Sequence, residues 1–365
     1  MKTDKKIKRV LVVNPFGIGD VLFTTPLIRA IKAANPQWRI HFICNKRTRP
    51  ILEHNPYIDE IIVIEKDEYR DLLKSSKVDF VKKFLSLLAK VKTDHFELAI
   101  DLSLGSQYGF FLKLLGVKRR IGFDYKKRGR FLTDRIRIDG FRGSHIVEHY
   151  LRLLGPLNIK PHGSEIEMRV SEEDKRWASE QLALKGRDED RTIVGIIPGG
   201  GASWGKDAGR KQWNPKNFAE IAKSLKGERG LRILLLGDDG DRQLCDQISS
   251  GIPGGVENFC GKTDLGRFAA LLGSCKLVVT NDGGPLHVAV SQNVKTISIF
   301  GPVDDKVYGP YPPGDEHVVM TASGVDCRPC YEGFRVADCR DYRCLDRIAP
   351  SAVLDKAKEL LSKAA

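Results

Sequence analysis

LVVTNDGGPLHVAVSQNVKTISIFGP, residues Leu277 to Pro302, contains the clearest pattern of secondary structure in the chain. Its apolar run predicts a strand over 277–280, followed by a turn at 281–285, a helix from about residue 286 and a second strand over 296–300. Strand, turn, helix and strand in this order form one unit of a parallel sheet. The carboxyl ends of such strands border a ligand crevice, and the helix that begins there offers backbone N–H groups to an anion.

Four residues of this unit lie where a nucleotide would bind. Gly283 and Gly284 remove Cβ atoms where the backbone must approach a ligand, and Asp282 can accept hydrogen bonds from hydroxyl groups. His287 can reach a phosphate or a sugar. The alternative is a plain tight turn in which Asn281 or Asp282 caps the helix.

The chain is long enough for two domains, because 365 residues exceed the ~250–300 that one core usually supports. Strands and helices alternate along both halves, which predicts an α/β fold of two doubly wound domains. We place the boundary near Met168, giving domains at 1–168 and 169–350 and a closing helix over 351–365 that can pack back on the first domain. The helices expected in the first half include one at 21–33 and a long polar one at 69–91.

The motif NPFGIGD at 14–20 joins the first strand to the first helix. Its G-x-G lacks the third glycine and the downstream acid of a dinucleotide fingerprint, so it is weak evidence alone. Asp20 can either cap the helix or direct a carboxylate into a cleft.

Two further loops of the second half follow predicted strands. Gly199 and Gly200 belong to PGGG at 198–201, and Lys211 precedes the next helix. Glycines and a lysine before a helix suit a phosphate, although the spacing does not match a P-loop. Asp241, which follows the strand at 232–236, can accept ribose hydroxyls or cap the helix from residue 242.

The formal net charge is +13, and the basic excess lies in the first half. Residues 1–160 carry 32 Lys and Arg against 17 Asp and Glu, whereas residues 161–365 carry 28 against 30. The densest basic run, at 118–130, is either a solvated loop or a surface for an anionic partner. Nucleic acid is not favoured as that partner, because the run belongs to no recognised nucleic-acid module.

Four of the eight cysteines fall within a short C-terminal segment: Cys327, Cys330, Cys339 and Cys344. The segment opens as C-x-x-C and could ligate a structural zinc or an iron–sulfur cluster, although its other spacings match no standard finger. Free thiols or disulfides are the alternative. The N-terminus does not resemble a signal peptide and no apolar run is as long as a membrane span, so we expect a cytoplasmic protein.

Read together, TNDGGPLHVAVSQNVKTISIFGP, PGGG before a lysine–tryptophan segment, and NPFGIGDVLFTTPLIRAIK resemble glycosyltransferase family 9, the ADP-heptose:lipopolysaccharide heptosyltransferases. The resemblance spans nearly the whole chain. It implies a GT-B fold, two Rossmann-like domains that face a central cleft, and inverting transfer of heptose from ADP-heptose to the lipopolysaccharide inner core without a required cofactor. A GT-B transferase or epimerase that uses another nucleotide sugar is the alternative.

The resemblance also implies roles for individual residues. Asp20 matches the general base, Lys211 the lysine that binds the donor phosphate, and Asp282 the aspartate that holds the heptose. Gly283, Gly284 and His287 match the loop and helix start around the donor diphosphate. Asp241 is a looser match to an acid that contacts the adenosine ribose. Gly283 stands where family members commonly have a hydroxyl residue.

The partners expected from the resemblance are an ADP-sugar, a lipid-linked core saccharide and the anionic inner membrane. The basic first half would meet the phosphates and acidic sugars of the acceptor, and we expect Lys126, Lys127 and Arg128 to bind them. We also expect peripheral contact with the membrane and no contact with nucleic acid.

Overall fold

A computed structural model describes residues 7–92, 94–184, 191–199, 202–228, 230–252 and 255–363. The chain divides into two compact units, Met1–Ser164 and Glu165–Ala365. The second unit therefore begins a few residues before the boundary that we placed near Met168. Ile166 and Met168 are buried, and the carbonyl of Met168 accepts a hydrogen bond from Gln292 Nε2 at 2.9 Å, so this segment belongs to the second unit.

The described residues of the first unit contain one parallel sheet of six strands in the order β3-β2-β1-β4-β5-β6. The strands are β1 (Arg9–Val13), β2 (Arg39–Cys44), β3 (Glu60–Val63), β4 (Leu98–Asp101), β5 (Arg119–Tyr125) and β6 (Asp134–Ile138). Because all six are parallel, their carboxyl ends lie along the same edge. The strand order reverses between β1 and β4, which is where Rossmann-like sheets bind ligands.

The helices of the first unit cover both faces of this sheet. They are α1 (Ile18–Leu22), α2 (Thr25–Ala34), α3 (Arg49–Leu52), α4 (Lys66–Ser75), α5 (Lys77–Lys92), α6 (Ser106–Leu114) and α7 (Ile146–Leu151). The helix expected at 21–33 is divided near Pro26, whose missing N–H suits the first turn of α2. The long helix expected at 69–91 is also two helices, because Ser76 is extended and its hydroxyl accepts from the N–H of Asp79.

The basic run at 118–130 is not the simple loop that we considered. Its first part is strand β5, in which Ile121 and Phe123 are buried between β4 and β6. Arg119 and Arg120 lie at the start of this strand, where their guanidinium groups donate to backbone carbonyls. The exposed basic part is therefore the turn that follows Tyr125.

The described residues of the second unit repeat the same topology, with the sheet order β12-β11-β10-β7-β8-β9. Its strands are β7 (Thr192–Ile197), β8 (Leu231–Leu235), β9 (Glu257–Asn258), β10 (Leu277–Asn281), β11 (Lys295–Ile299) and β12 (His317–Met320), with a separate hairpin of β13 (Tyr331–Glu332) and β14 (Arg335–Val336). Its helices are α8 (Glu172–Leu184), α9 (Pro215–Gly227), α10 (Arg242–Ser250), α11 (Leu265–Gly273), α12 (Gly284–Ser291), α13 (Asp305–Tyr308), α14 (Arg343–Asp346) and α15 (Pro350–Ser362). The predicted strand, turn, helix and strand correspond to β10, the turn before α12, α12 and β11. The two strands pair in parallel. The α/β class with two Rossmann-like domains is thus confirmed.

The closing helix α15 belongs to the second unit and packs on the core of that unit. Val353, Ala357 and Leu360 are buried in the hydrophobic core that also contains Ile221 and Leu225 of α9. The three residues recur at spacings of three and four, so one apolar face of α15 is satisfied within its own unit.

We expect Leu360→Ala to destabilise the second unit by about 2–5 kcal/mol, because it removes a fully buried side chain and leaves a cavity. Urea denaturation followed by tryptophan fluorescence measures the change. Leu184→Ala is the control, because Leu184 is 78% exposed in the same unit. Equal midpoints for the two variants would contradict the placement of α15.

Candidate active site

The side chain of Asn281, at the end of β10, joins three segments of the second unit. Its Nδ2 donates to the carbonyl oxygens of Pro198 at 2.9 Å and Gly199 at 3.0 Å. Its Oδ1 accepts from the backbone N–H of Trp213 at 2.9 Å. The loop after β7, the segment before α9 and the turn after β10 are thereby fixed around one buried amide. Sequence reasoning considered Asn281 only as a helix cap.

Lys211 and Asp282 form a buried ion pair beside this amide. Lys211 Nζ lies 2.7 Å from Asp282 Oδ2, and the two side chains are only 7% and 4% exposed. The ammonium also lies 4.5 Å from the ring centroid of Trp204, which is a cation–π contact. An ammonium has three N–H donors, so it can keep these contacts and still donate to a phosphate oxygen. The fold thus brings together two residues that the sequence could only propose separately.

The turn between β10 and α12 does not use Asp282 as a cap. The N-cap of α12 is Gly283, which makes no side-chain capping bond, and Gly284 is the first helical residue. The carboxylate of Asp282 is therefore available to Lys211, and capping by Asn281 or Asp282 was the wrong alternative. His287 is buried in the first turn of α12, close to backbone N–H groups that favour an anion.

Asp241 lies directly against the loop after β7. A Cβ atom on Gly199 would come within 2.1 Å of Asp241 Oδ2, so any side chain here would have to displace that carboxylate. Burial, and then the negative charge of Asp238, raises the pKa of Asp241 to about 6. Asp241 occupies the N-cap position of α10 but makes no capping bond there, and its Oδ2 accepts from the N–H of Asp238. Gly200, the other glycine predicted here, lies outside the described residues.

Asp20 occupies the carboxyl edge of the first sheet, in the helix that follows β1. It is the third residue of α1, and its Oδ2 accepts from the N–H of Gly17 at 3.1 Å in a capping box. The buried Asn14 holds this helix in place, because its Nδ2 donates to the carbonyl of Asp20 at 3.0 Å and to Thr24 Oγ1 at 2.8 Å. Asp20 is therefore not the N-cap that we considered, because Gly17 holds that position, and the Gly17 bond fixes the orientation of a partly exposed carboxylate.

The exposed turn Lys126–Lys127–Arg128 follows β5 at the same edge. The N–H of Arg128 bonds to the carbonyl of Tyr125 at 3.0 Å, and Lys126 and Lys127 have φ of 51° and 60°. Glycine or asparagine is favoured in this region, so two lysines here carry a backbone cost of about 1–2 kcal/mol each. Strain of this kind is typical of positions kept for function. The cations of Lys126 and Arg128 lie over the ring of Tyr125.

Asp101 is a buried acid at this edge that the sequence analysis did not select. It ends β4 next to Val13 of β1, at the point where the strand order reverses. Burial raises the pKa of its carboxyl to about 6, while Oδ1 accepts from the N–H of Ser103 at 2.9 Å. The sequence signal that could have identified Asp101 is its position at the end of an apolar strand.

The four C-terminal cysteines share one neighbourhood but do not converge as ligands. Burial, and then the nearby thiols of the other three, raises the pKa of Cys344 to about 11. In the described part of the chain, the ligand atoms of three such residues come within 4.8 Å of one another only at His41, Glu60 and Asp94. The thiol chemistry suits zinc or iron, whereas the sulfur positions would have to close to bind it.

A family model and two curated relatives match most of this chain. The family model described as "Glycosyltransferase family 9 (heptosyltransferase)" matches residues 84–334, more than half of the chain. The sequence is 26% identical to lipopolysaccharide heptosyltransferase 2 of Escherichia coli K12, over 97% of this chain and 98% of that protein. It is also 24% identical to lipooligosaccharide heptosyltransferase 2 of Campylobacter jejuni, with the same coverage of 97% and 98%.

Two solved structures share the fold over nearly the full chain. The glycosyl transferase family 9 protein of Veillonella parvula has a TM-score of 0.81 at 22% identity and covers 98% of both chains. Escherichia coli ADP-heptose lps heptosyltransferase II has a TM-score of 0.74 at 23% identity and covers 97% of this chain and 98% of that chain. These similarities confirm the predicted GT-B fold.

We expect Gly199→Ala to weaken ADP binding by about tenfold or more, because the added methyl group must displace the Asp241 carboxylate at an overpacking cost of about 1–3 kcal/mol. Isothermal titration measures the affinity. Gly227→Ala at the end of α9 is the control, because a Cβ atom there meets nothing within 4 Å. Unchanged ADP affinity in Gly199→Ala would remove this loop from the site.

Proposed function

Because the chain belongs to glycosyltransferase family 9, the heptosyltransferase family, we propose that it transfers heptose from ADP-heptose to the lipopolysaccharide inner core with inversion. The observation that carries this proposal is the buried pair of Lys211 and Asp282 at the start of α12. It places a cation and a carboxylate at the edge of a Rossmann-like sheet where the strand order reverses between β7 and β10.

The donor residues divide into two roles. Lys211 and the N-terminal N–H groups of α12 bind the diphosphate, whose negative charge grows as ADP leaves. Asp282, held by Lys211, accepts hydrogen bonds from the heptose hydroxyls and fixes the anomeric carbon for attack. Asp241, beside the Gly199 loop, accepts from the ribose hydroxyls.

Asp20 is proposed as the general base. A hydroxyl group of the acceptor attacks the anomeric carbon opposite ADP, so that a new carbon–oxygen bond forms while the carbon–phosphate-oxygen bond breaks and its electron pair leaves with ADP. The hydroxyl proton passes to Asp20, which makes the oxygen sufficiently nucleophilic. The capping box orients the Asp20 carboxylate for this role, because the N–H of Gly17 donates to its Oδ2.

Lys126, Lys127 and Arg128 are proposed to bind the phosphates and acidic sugars of the acceptor. Their exposure, their positive φ angles and the basic excess of the first half support this role. We also propose a cytoplasmic location with peripheral contact to the anionic inner membrane. No helix in the described ranges is long and apolar enough to cross a bilayer.

The direct test is a transfer assay with ADP-heptose and a heptose-deficient core acceptor, in which ADP release and the anomeric configuration of the product are measured. The proposal predicts release of ADP and an inverted linkage. Titration with ADP, UDP and GDP distinguishes the alternative donors, and a preference for UDP or GDP would favour a GT-B transferase or epimerase that uses another nucleotide sugar.

We further propose that Cys327, Cys330, Cys339 and Cys344 hold a structural zinc or an iron–sulfur cluster. The supporting observation is that the four cysteines lie in one segment next to the proposed donor site, where burial and then the nearby thiols raise the pKa of Cys330 and Cys344. That segment contains Tyr331, whose ring lies 4.8 Å from the ring of Trp204. A bound metal would cross-link the segment and hold Tyr331 against the aromatic partner of Lys211.

For the cysteine segment, we expect about one zinc equivalent per chain, or an iron–sulfur absorbance, after anaerobic purification. Cys327→Ser with Cys330→Ser should lose the metal, whereas Cys275→Ser should keep it, because Cys275 is buried elsewhere in the second unit. Elemental analysis that finds no metal in the wild type would leave plain thiols or disulfides.

For the base, we expect Asp20→Asn to lower turnover by roughly 10²–10⁴ with unchanged ADP affinity. The asparagine carbonyl can still accept from Gly17, so the capping box and the melting temperature should stay near those of the wild type. Asp139→Asn, at an exposed position of the same unit, is the control. Near-normal turnover in Asp20→Asn would leave Asp20 as a helix cap.

A further inference from the structure

We propose that the tip of the α4–α5 helical hairpin docks on the surface of an anionic bilayer, an inference that rests on the proposed lipid-linked acceptor. The hairpin tip is defined here as residues 71–85. Its geometry, its exposed apolar residues and its lysines each support this role.

The hairpin projects from the carboxyl edge of the first sheet. Helix α4 begins there, directly after β3, and runs antiparallel to α5, since Tyr69 packs on Phe80 with ring centroids 6.3 Å apart and Lys83 pairs with Glu68. Among the described side chains of α5, those that pack on the core of the sheet begin at Phe84. The connection between the two helices therefore extends beyond the edge that carries Asp20 and the basic turn at 126–128.

Large apolar side chains of the tip face solvent. The exposed fractions are 49% for Leu73, 63% for Val78, 49% for Val81 and 56% for Leu85. Val78, Val81 and Leu85 are spaced by three and four residues, so they form one stripe on α5, separate from the face that packs inward. An exposed apolar stripe with polar borders is typical of a surface that binds a membrane or a protein.

The charges beside the stripe favour an anionic bilayer. Lys74, Lys77 and Lys82 are exposed around it, against the exposed acids Asp71 and Asp79. Residues 71–85 carry four lysines against two aspartates, and of these lysines Lys83 pairs with Glu68. Apolar residues on one face with flanking lysines are the pattern of helices that lie in the interface of anionic membranes.

A second copy of the chain is a weaker candidate for the occupant. A stable protein interface uses about 20–30 residues on each side, whereas the tip offers a short stripe. The neighbouring α6 adds exposed Phe110 and Leu114 next to Lys113, which repeats the same combination of apolar and basic side chains. A lipid surface accommodates such separate contacts without a complementary shape.

Co-sedimentation with vesicles tests the proposal. The wild type should sediment with vesicles of phosphatidylcholine and phosphatidylglycerol, and much less with phosphatidylcholine alone. The triple variant Val78→Ser, Val81→Ser and Leu85→Ser should lower the partition coefficient by about tenfold or more, because three inserted apolar side chains are lost. The control Leu184→Ser, at a 78% exposed position of the second unit, should bind as the wild type does.

A second measurement locates the contact. The fluorescence of Val81→Trp should be quenched by brominated lipids, and that of Leu184→Trp should not exceed the wild-type response. Equal partition of the triple variant and the wild type, or no quenching in Val81→Trp, would overturn the proposal. If the triple substitution leaves vesicle binding unchanged and alters only the sedimentation coefficient of the free protein, the tip binds a second copy of the chain and not a bilayer.

The proposed function can fail independently of this inference. Transfer to a delipidated core saccharide should be equal in the wild type and the triple variant, whereas transfer to the vesicle-embedded acceptor should fall in the variant. If the wild type does not glycosylate the saccharide at all while still binding the vesicles through the tip, the acceptor assignment fails and the docking surface stands.

Discussion

The buried amide of Asn281 is the constraint on which the proposed donor site depends. One side chain satisfies two carbonyls of the loop after β7 and one N–H of the segment before α9. Each of these groups would cost about 1–3 kcal/mol if it were buried without a partner. The positions of Lys211, Asp282 and the Gly199 loop therefore follow from a single polar anchor at the end of β10, and the ion pair between Lys211 and Asp282 closes the arrangement.

The first unit uses the same principle at its own sheet edge. Asn14 follows β1 as a fully buried amide and holds the carbonyl of Asp20 and the hydroxyl of Thr24. Both sheets have the same strand order, and each amide directly follows or ends a strand at the point where that order reverses. A polar side chain in this place costs core packing, but it orients the loop that follows the strand.

The sequence was sufficient to predict secondary structure where the spacing of apolar residues and the turn residues indicate the same elements. It predicted the β10, α12 and β11 unit, because an apolar run, two glycines and a second apolar run leave few alternatives. It was not sufficient for β5, whose buried residues lie between arginines and lysines, or for the break at Ser76. The partner of Lys211 and the anchoring role of Asn281 depend on tertiary contacts between distant segments, which no local pattern encodes.

We propose that Lys211 binds the diphosphate of an adenine nucleotide while it is paired with Asp282. Titration of ADP and adenosine into the wild type and Lys211→Met tests it most directly, with Lys211→Met/Asp282→Asn to control for the buried charge left behind. Both variants should lose about 1.5–3 kcal/mol of ADP binding, roughly 10- to 150-fold, and keep their adenosine affinity. Equal ADP affinity in the wild type and the folded double variant would contradict it.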